Sequence, residues 1–472
     1  MNPGQVGAQL RASNPWWRDP AGWETSDPDL RSADLAGIDY HPRPLDHLEP
    51  GALYVLRGPR RVGKSVELKR VAGDLLRTGA KPLQIIHLAV ETWRANDLGH
   101  LVSVGRSQLS ASVDPLPRYW LIDEITSVTG DWANQIKFLR DNTPFHDDCV
   151  VLTGSSARDL TAATKALAGR HGSARDADRT LLPMGLRGYC QARGLAIDLP
   201  APMAPADLRS PAARRALLDL QPWQDDLVNA WETYLLCGGF PTAVADFHGT
   251  GAVSQPFIQA LWDVIQGEAL RSGSFSATQA QELLEQVTLS LTSTGSVRSW
   301  ADAVGATRDV TAARLEDLAS AYMTWHLHRD QGGGRPALGS RRKTYFTDPI
   351  LARLSSMLAV TARREPDMTT LAEQQIGMAL ARAGEVRAPG TFTRHDGVLF
   401  HRTGSDREVD FVSGQLEVTP LEVKYSDRPW RRDAQTLRSA LGSGIVCTRS
   451  VLDLADDVWA VPAAFVAALI DT

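Results

Sequence analysis

The sequence has only four cysteines, Cys149, Cys190, Cys237 and Cys447, and no two of them form a C-x-x-C pair. That spacing excludes a zinc site or a disulfide framework and leaves the thiols as packing residues in a reducing compartment. No apolar run is long enough to span a bilayer, and Met1-Asn2-Pro3-Gly4 lacks a basic-then-apolar leader. The expectation is a cytoplasmic chain with no membrane partner. A strong excess of one charge is also missing. The formal net charge is −5, which argues against a protein that coats DNA non-specifically but leaves room for local basic patches. What is present is a globular composition, 43% hydrophobic and 22% charged over 472 residues, enough for about three domains.

The stretch Leu53-Tyr54-Val55-Leu56-Arg57 reads as an apolar strand. It runs into Gly58-Pro59-Arg60-Arg61-Val62-Gly63-Lys64-Ser65 and then into a helix. This is G-x-x-x-x-G-K-S in the context its mechanism demands. Glycines let backbone N–H groups wrap phosphate oxygens, Lys64 would reach the β- and γ-phosphates of ATP, and the Ser65 hydroxyl would ligate Mg²⁺. The helix that opens there points its positive dipole end at the anion.

Arg118-Tyr119-Trp120-Leu121-Ile122-Asp123-Glu124 is a second apolar run, ending in two acids. On a buried parallel strand the first acid emerges at the carboxyl edge. Asp123 would then hold the Mg²⁺ shell, and Glu124 would orient or deprotonate the attacking water. A strand that simply ends in solvated acids is the plainer alternative. A third run, Cys149-Val150-Val151-Leu152, ends in Thr153-Gly154-Ser155-Ser156, whose polar groups can meet the γ-phosphate or the lytic water. Helical patterns cover 66–78, 98–111 and 132–141, and residues 82–90 supply another strand. This alternation predicts an α/β parallel sheet covered on both faces, with ligand at the carboxyl ends of its strands.

Gly58 to Ser65, Leu121-Ile122-Asp123-Glu124, Leu152 to Ser156 and Leu167-Ala168-Gly169-Arg170 together resemble the AAA-type ATPases that carry a C-terminal domain of unknown function. The resemblance implies ATP hydrolysis, with Thr153 as the sensor-type polar residue. It implies for Arg170 the role of an arginine finger reaching a neighbour's γ-phosphate, against the alternative of a structural arginine paired with a local acid. It also implies a homo-oligomeric ring, a hexamer in that family. Leu181-Leu182-Pro183-Met184-Gly185-Leu186-Arg187-Gly188-Tyr189 resembles the family's segment after the core, with Gly188 where an acid is usual. Cys237-Gly238-Gly239-Phe240-Pro241 matches its Gly-Gly-Phe-Pro turn. In the family the segment before the phosphate loop packs near the adenine. Trp16, Trp17 and Trp23 occupy that segment here, and core packing is the simpler reading of them.

Three closely spaced prolines, Pro200, Pro202 and Pro205, mark a linker. Helical patterns follow at 212–221 and 227–247. From Thr278 a helix, then Val297 to Val304, Gly305 and a second helix to about Tyr322 read as helix-turn-helix. Gly332-Gly333-Gly334 and Arg341-Arg342-Lys343 suggest a mobile basic wing. Arg308, Arg314 and the wing would contact duplex phosphates, or the module would serve protein contacts alone. Lys343-Thr344-Tyr345-Phe346-Thr347-Asp348 resembles the family's Lys-x-Tyr-Phe-x-Asp.

Near the end, Arg407-Glu408-Val409-Asp410-Phe411 and Leu421-Glu422-Val423-Lys424 read as paired strands joined through a turn at Gly414-Gln415. Alternation puts Glu422 and Lys424 on one side, where Asp410 can join them. Asp410 and Glu422 would hold Mg²⁺, with Glu373 from the preceding helix as a further ligand, and Lys424 would position a water. The pattern resembles the PD-(D/E)xK nucleases. Arg428, Trp430, Arg431 and Arg432 would serve phosphate binding or form a solvated face.

The expected architecture is an α/β multidomain chain. It comprises an AAA-type ATPase domain with its N-terminal segment (1–190), a linker and helical bridge (191–275), a winged helix (276–365) and a PD-(D/E)xK nuclease-like domain (366–472). The leading expectation for function is an ATP-dependent DNA-binding or remodelling ATPase acting on duplex or branched DNA, with metal-dependent cleavage. The alternative is a nucleotide-switched regulatory or defence protein that acts through partner binding.

Overall fold

The computed structural model describes residues 1–107, 117–155, 160, 166–270, 275–338, 341–358, 365–404, 406–426 and 430–471. Ser156 and Arg428, singled out above, lie outside them. The chain divides into two compact units. One is Met1–Gly37 with His41–Leu181, the other Ile38–Tyr40 with Leu182–Thr472.

In the first unit, β1 (Leu53–Arg57), β2 (Ile85–Ala89), β3 (Tyr119–Asp123), β4 (Cys149–Thr153) and β5 (Asp178–Thr180) form a sheet in the order β2-β3-β4-β1-β5. Every pair is parallel. β1 and β4 are buried along their whole length, so they read as unbroken apolar runs without the alternation of a half-wet strand. The helices Lys64–Arg77, Asp97–Ser107 and Trp132–Asn142 connect the strands. Lys64–Arg77 sinks Leu68, Val71 and Ala72 into the core, the i, i+3, i+4 stripe of an amphipathic helix. Deleting the fully buried Leu68 side chain would cost about 2–5 kcal/mol. Because all five strands run the same way, the segments leaving β1, β3 and β4 emerge at one edge.

The N-terminal tryptophans belong to this unit's core. Trp16 and Trp23 meet edge to face with ring centroids 4.8 Å apart. The indole N–H groups of Trp16 and Trp17 both donate to the Ile85 carbonyl, at 3.1 and 2.9 Å. Ile85 opens β2, at the sheet edge opposite the phosphate loop.

The second unit holds a mixed seven-stranded sheet of β6 (Thr324–Arg329), β7 (Lys343–Phe346), β8 (Val398–Arg402), β9 (Glu408–Ser413), β10 (Leu421–Val423), β11 (Gly444–Thr448) and β12 (Val458–Pro462), in the order β12-β11-β10-β9-β8-β6-β7. Behind it lie the long helix Met368–Arg387 and the Ala463–Ile470 helix, which is apolar all round and buried all round. The pattern at 227–247 resolves into two helices, Gln224–Cys237 and Pro241–Thr250. Gly238 breaks them at φ 76°, and a Cβ there would lie 2.0 Å from Asp348 Oδ1. Asp348 is the reason for the turn: its carboxylate accepts from Gly239 N at 2.7 Å and Ile350 N at 2.9 Å. The Gly-Gly-Phe-Pro and Lys-x-Tyr-Phe-x-Asp segments are thus two halves of one joint.

Two helices form in the segment read as helix-turn-helix, Val297–Val304 and Arg308–Ser320, flanking Gly305, and the Thr307 hydroxyl caps the second. The hairpin after it is built differently from a wing. β6 pairs with β7 on one side and with β8 on the other, through His328↔Leu399 and Arg329↔Phe400. The hairpin is therefore the end of the seven-stranded sheet, which runs across the 365/366 boundary read from the sequence. Lys343, expected on a basic wing, is 0% exposed. Arg314, expected to face phosphates, is buried and paired with Asp317 at 2.9 Å. Arg342 is paired with Glu316 at 3.0 Å. Arg308 is exposed beside an equally exposed Asp309.

Candidate functional site

At the carboxyl edge of the five-stranded sheet the backbone closes tightly around the loop after β1. Gly58 has φ 145°, and a Cβ there would sit 2.0 Å from the Leu181 carbonyl oxygen, so no other residue fits. Gly63, at φ 103°, hands the chain to the helix that starts at Lys64. Lys64 is nearly buried. Its ammonium donates to the carbonyls of Gly58 and Pro59 at 3.0 and 2.9 Å and to Ser155 Oγ at 3.0 Å. Burial pushes its pKa down to about 8, against the pull of Glu124 and Asp123 and with a small further push from Arg60.

The structure brings the two acids of β3 and the hydroxyls after β4 into the same cluster. Thr153 Oγ1 donates to Asp123 Oδ1 and accepts from Glu124 N at 3.0 Å. This fixes the backbone of Glu124, which sits in the left-handed region at φ 55°, a conformation costing on the order of 1 kcal/mol or more for a residue with a Cβ. Ser155 Oγ donates to Glu124 Oε1 at 2.9 Å. Among the described residues Glu124 Oε2 is buried with no hydrogen-bond partner, so its acceptor capacity can serve a water or a ligand. The donor set suits a nucleotide carrying Mg²⁺. Backbone amides and a lysine face anionic oxygens, while a hydroxyl and a carboxylate, Ser65 and Asp123, can face a hard cation.

Residues 51–190 match the family model described as AAA domain. The chain is an ATP hydrolase that carries an AAA domain over these residues. No curated protein matches it. Among solved structures, the Walker-type ATPase PABY2304 of Pyrococcus abyssi is similar at 14% identity and a TM-score of 0.39, over 71% of this chain and 95% of its own. The ORC2 protein of Aeropyrum pernix, in complexes with ADPNP and ADP, is similar at 12% identity and a TM-score of 0.27, over 64% and 87% of the two chains. A RuvB variant of Thermotoga maritima gives 10%, 0.24, 67% and 90% in the same terms. All three scores are below 0.5.

The ATPase's Arg170 lies apart from the cluster around Lys64. Its guanidinium grips Asp141 with one edge, Nε to Oδ1 at 3.1 Å and Nη2 to Oδ2 at 3.0 Å, and Nη1 donates to the Ala168 carbonyl at 3.0 Å. The side chain is one-third exposed. Among the described residues no helix is long and apolar enough to cross a membrane.

The second cluster of the ATPase lies in the other unit. Glu373 on the Met368–Arg387 helix, Asp410 on β9 and Glu422 on β10 are all buried. Asp410 N donates to Glu422 Oε2 at 3.3 Å and Lys424 is bonded to Glu422 at 2.7 Å, residues that sequence spacing places in one cluster. That spacing missed the group at their centre. Lys343 Nζ lies 2.8 Å from Glu373 Oε1, 2.9 Å from Asp410 Oδ1 and 2.7 Å from Glu408 Oε1. Tyr345 adds a hydrogen bond to Glu373 Oε1 at 2.7 Å. Burial alone would lower the Lys343 pKa, but Asp410, Glu373, Tyr345 and Glu408 outweigh it and hold the ammonium well above its usual value. Burial, then the Asp410 charge, push Glu373 up to about 7 against the pull of Lys343. Among the described residues, no group of three or more His, Cys, Asp or Glu is arranged to hold a metal ion. The signal for Lys343 was the Lys-x-Tyr-Phe segment, in which Lys343 and Tyr345 share one face of β7.

Proposed function

We propose that this ATPase is a nucleotide-switched regulatory protein whose output is the binding of a partner. The observation that carries this reading is the pair of hydrogen bonds at Ser155, which tie Lys64 and Glu124 to one hydroxyl. A lysine held this way is withheld from phosphate, and one oxygen of the carboxylate is withheld from water, until a nucleotide replaces the serine. The state of the site therefore reports whether nucleotide is bound.

In the proposed chemistry the backbone amides of Gly58 to Gly63 and the Lys64 ammonium hold the ATP phosphates. Ser65 and Asp123 would hold Mg²⁺, which when bound neutralises charge on the β- and γ-phosphates. Glu124 orients the attacking water and takes its proton. Thr153 fixes the Asp123 carboxylate and the Glu124 backbone. Assembly as a homo-oligomer, a hexamer, belongs to the same proposal. A trans role for Arg170 then requires its bond to Asp141 to open.

The second reading is ATP-dependent DNA binding or remodelling on duplex or branched DNA. It is favoured by the helix-turn-helix geometry and by the exposed Arg298 and Arg308. Against it, Asp302 and Asp309 are exposed on the same helices, so the face is not basic. Steady-state ATP hydrolysis with no DNA and with single-stranded, duplex and four-way DNA separates the two, with Glu124→Gln as the hydrolysis-dead control. The switch reading expects slow turnover that ignores every DNA and leaves each uncut on a gel. Strong stimulation by one form would overturn it in favour of the remodelling reading.

A further inference from the structure

We propose that the Lys343 ammonium takes the place of the divalent cation in the Glu373–Asp410 centre, so that this centre binds no metal and cuts no nucleic acid. The nuclease resemblance implies Mg²⁺ held by Asp410, Glu422 and Glu373. The residues present do not fit that ion.

Three observations carry this. An ammonium has three N–H donors, and Lys343 has three carboxylate partners within 2.9 Å, on the Met368–Arg387 helix and on β9. Its three donors are taken, two of them by the Glu373 and Asp410 oxygens a metal would need. Second, the other Asp410 oxygen is also committed, accepting from Val423 N at 2.9 Å. Glu373 Oε1 is shared between Lys343 and the Tyr345 hydroxyl. Third, the lysine cannot swing aside as an exposed side chain can. It is 0% exposed, and its backbone is fixed in the sheet, opposite Leu327 of β6. Withdrawing it would leave buried carboxylates without a counter-charge. Lys424, which a nuclease would turn toward a water, is bonded to Glu422.

The lysine also explains the architecture around it. A metal ion arrives from solution and is indifferent to the strand beside it. Lys343 comes from β7, so neutralising the acids anchors the hairpin after the helix-turn-helix to the sheet that carries them. The cluster is a lock inside one unit, and it stands or falls independently of the nucleotide-switch reading.

Mn²⁺ binding tests it, measured by electron paramagnetic resonance on the nucleotide-free full chain. The wild-type chain and the Asp410→Asn and Glu373→Gln variants should bind the same number of ions. Lys343→Met, which keeps the length and loses the charge, should gain one ion, and Lys343→Met with Asp410→Asn should lose it again. The proposal is overturned if the wild-type chain binds one ion more than Asp410→Asn or Glu373→Gln. It is also overturned if a folded Lys343→Met, verified by circular dichroism, gains none. Should Lys343→Met fail to fold, the comparison of wild type with the two acid variants still decides.

Discussion

Ser155 Oγ donates to Glu124 Oε1 at 2.9 Å while accepting from Lys64 Nζ at 3.0 Å. One hydroxyl thus bridges the cation that would meet the γ-phosphate and the anion that would activate water. Both bonds involve a charged group, which makes them stronger than neutral ones. Ser155→Ala removes the tether and leaves the Thr153 bonds to Asp123 and Glu124 intact. A hydrogen bond to a charged group is worth about 1.5–3 kcal/mol, so basal kcat for ATP hydrolysis should rise by roughly tenfold or more, and Ser155→Thr should restore the wild-type rate. A fall in kcat in Ser155→Ala would mean that the hydroxyl serves the reaction itself.

The pH response of ATP binding follows from Lys64. Burial holds its pKa near 8 in place of 10.5. The ammonium, the form that meets phosphate, is therefore fully present below that pH and is lost as pH rises through about 8. ATP affinity should fall between about pH 7 and 9, approaching tenfold per unit at the upper end. Stability of the nucleotide-free chain should move the other way. The unfolded chain keeps this proton to about 10.4, so above pH 8 unfolding takes up a proton and the Lys64 contribution favours the fold more as pH rises. Fluorescence titrations with ATP at several pH values, beside Lys64→Met as the flat control, measure the first effect. A pH-independent affinity would place the lysine in solvent.

Arg170 tests whether the reaction crosses between subunits. One edge of its guanidinium is committed to Asp141 and Nη1 to the Ala168 carbonyl, so Arg170→Ala should change ATP turnover by less than about twofold, as is usual for an exposed ion pair. A loss of about a thousandfold, accompanied by turnover that depends on protein concentration, would establish an arginine finger acting in trans.

The ATPase half was legible because its chemistry is local in sequence. Strand, glycine loop and lysine follow one another within Leu53–Ser65, and Asp123 and Glu124 end their own strand, so period and composition placed them without knowledge of the sheet order. The bond from Ser155 to Lys64 was not legible, because it joins residues 91 positions apart. The C-terminal acids were found for the same local reason, as E-x-K and strand-Asp patterns. Lys343 was read as part of a basic run with Arg341 and Arg342, since nothing in that tripeptide says which of three cations turns inward. Its partners lie 30 and 67 positions away, and only the pairing of β6 with β8 brings them together. Arg314 misled for the complementary reason. A cation on a recognition-type helix looks like a phosphate contact until Asp317, three residues on, is seen to hold it inside.

The stability of the second unit should depend on Asp471. Its carboxylate takes Arg382 Nε at 2.6 Å and Nη2 at 3.2 Å, and its side chain is 1% exposed. Arg187 adds a bond from Nε to the Asp471 carbonyl at 3.2 Å, and Gly185 leaves room for the carboxylate, since a Cβ there would lie 1.7 Å from Oδ2. Among the described residues Arg382 already has one buried nitrogen, Nη1, without a hydrogen-bond partner, so it has no spare contact to fall back on. Burial disfavours its charge, and Asp471 with Tyr234 more than restores it. Removing Asp471 therefore leaves a buried guanidinium uncompensated. Asp471→Ala should cost about 3–5 kcal/mol, read as an earlier urea midpoint for the second unit, while Arg382→Met in the same chain should recover part of the loss by removing the stranded charge. A melting curve for Asp471→Ala that overlays the wild type would show the pair contributes nothing to holding the C-terminal helix in place.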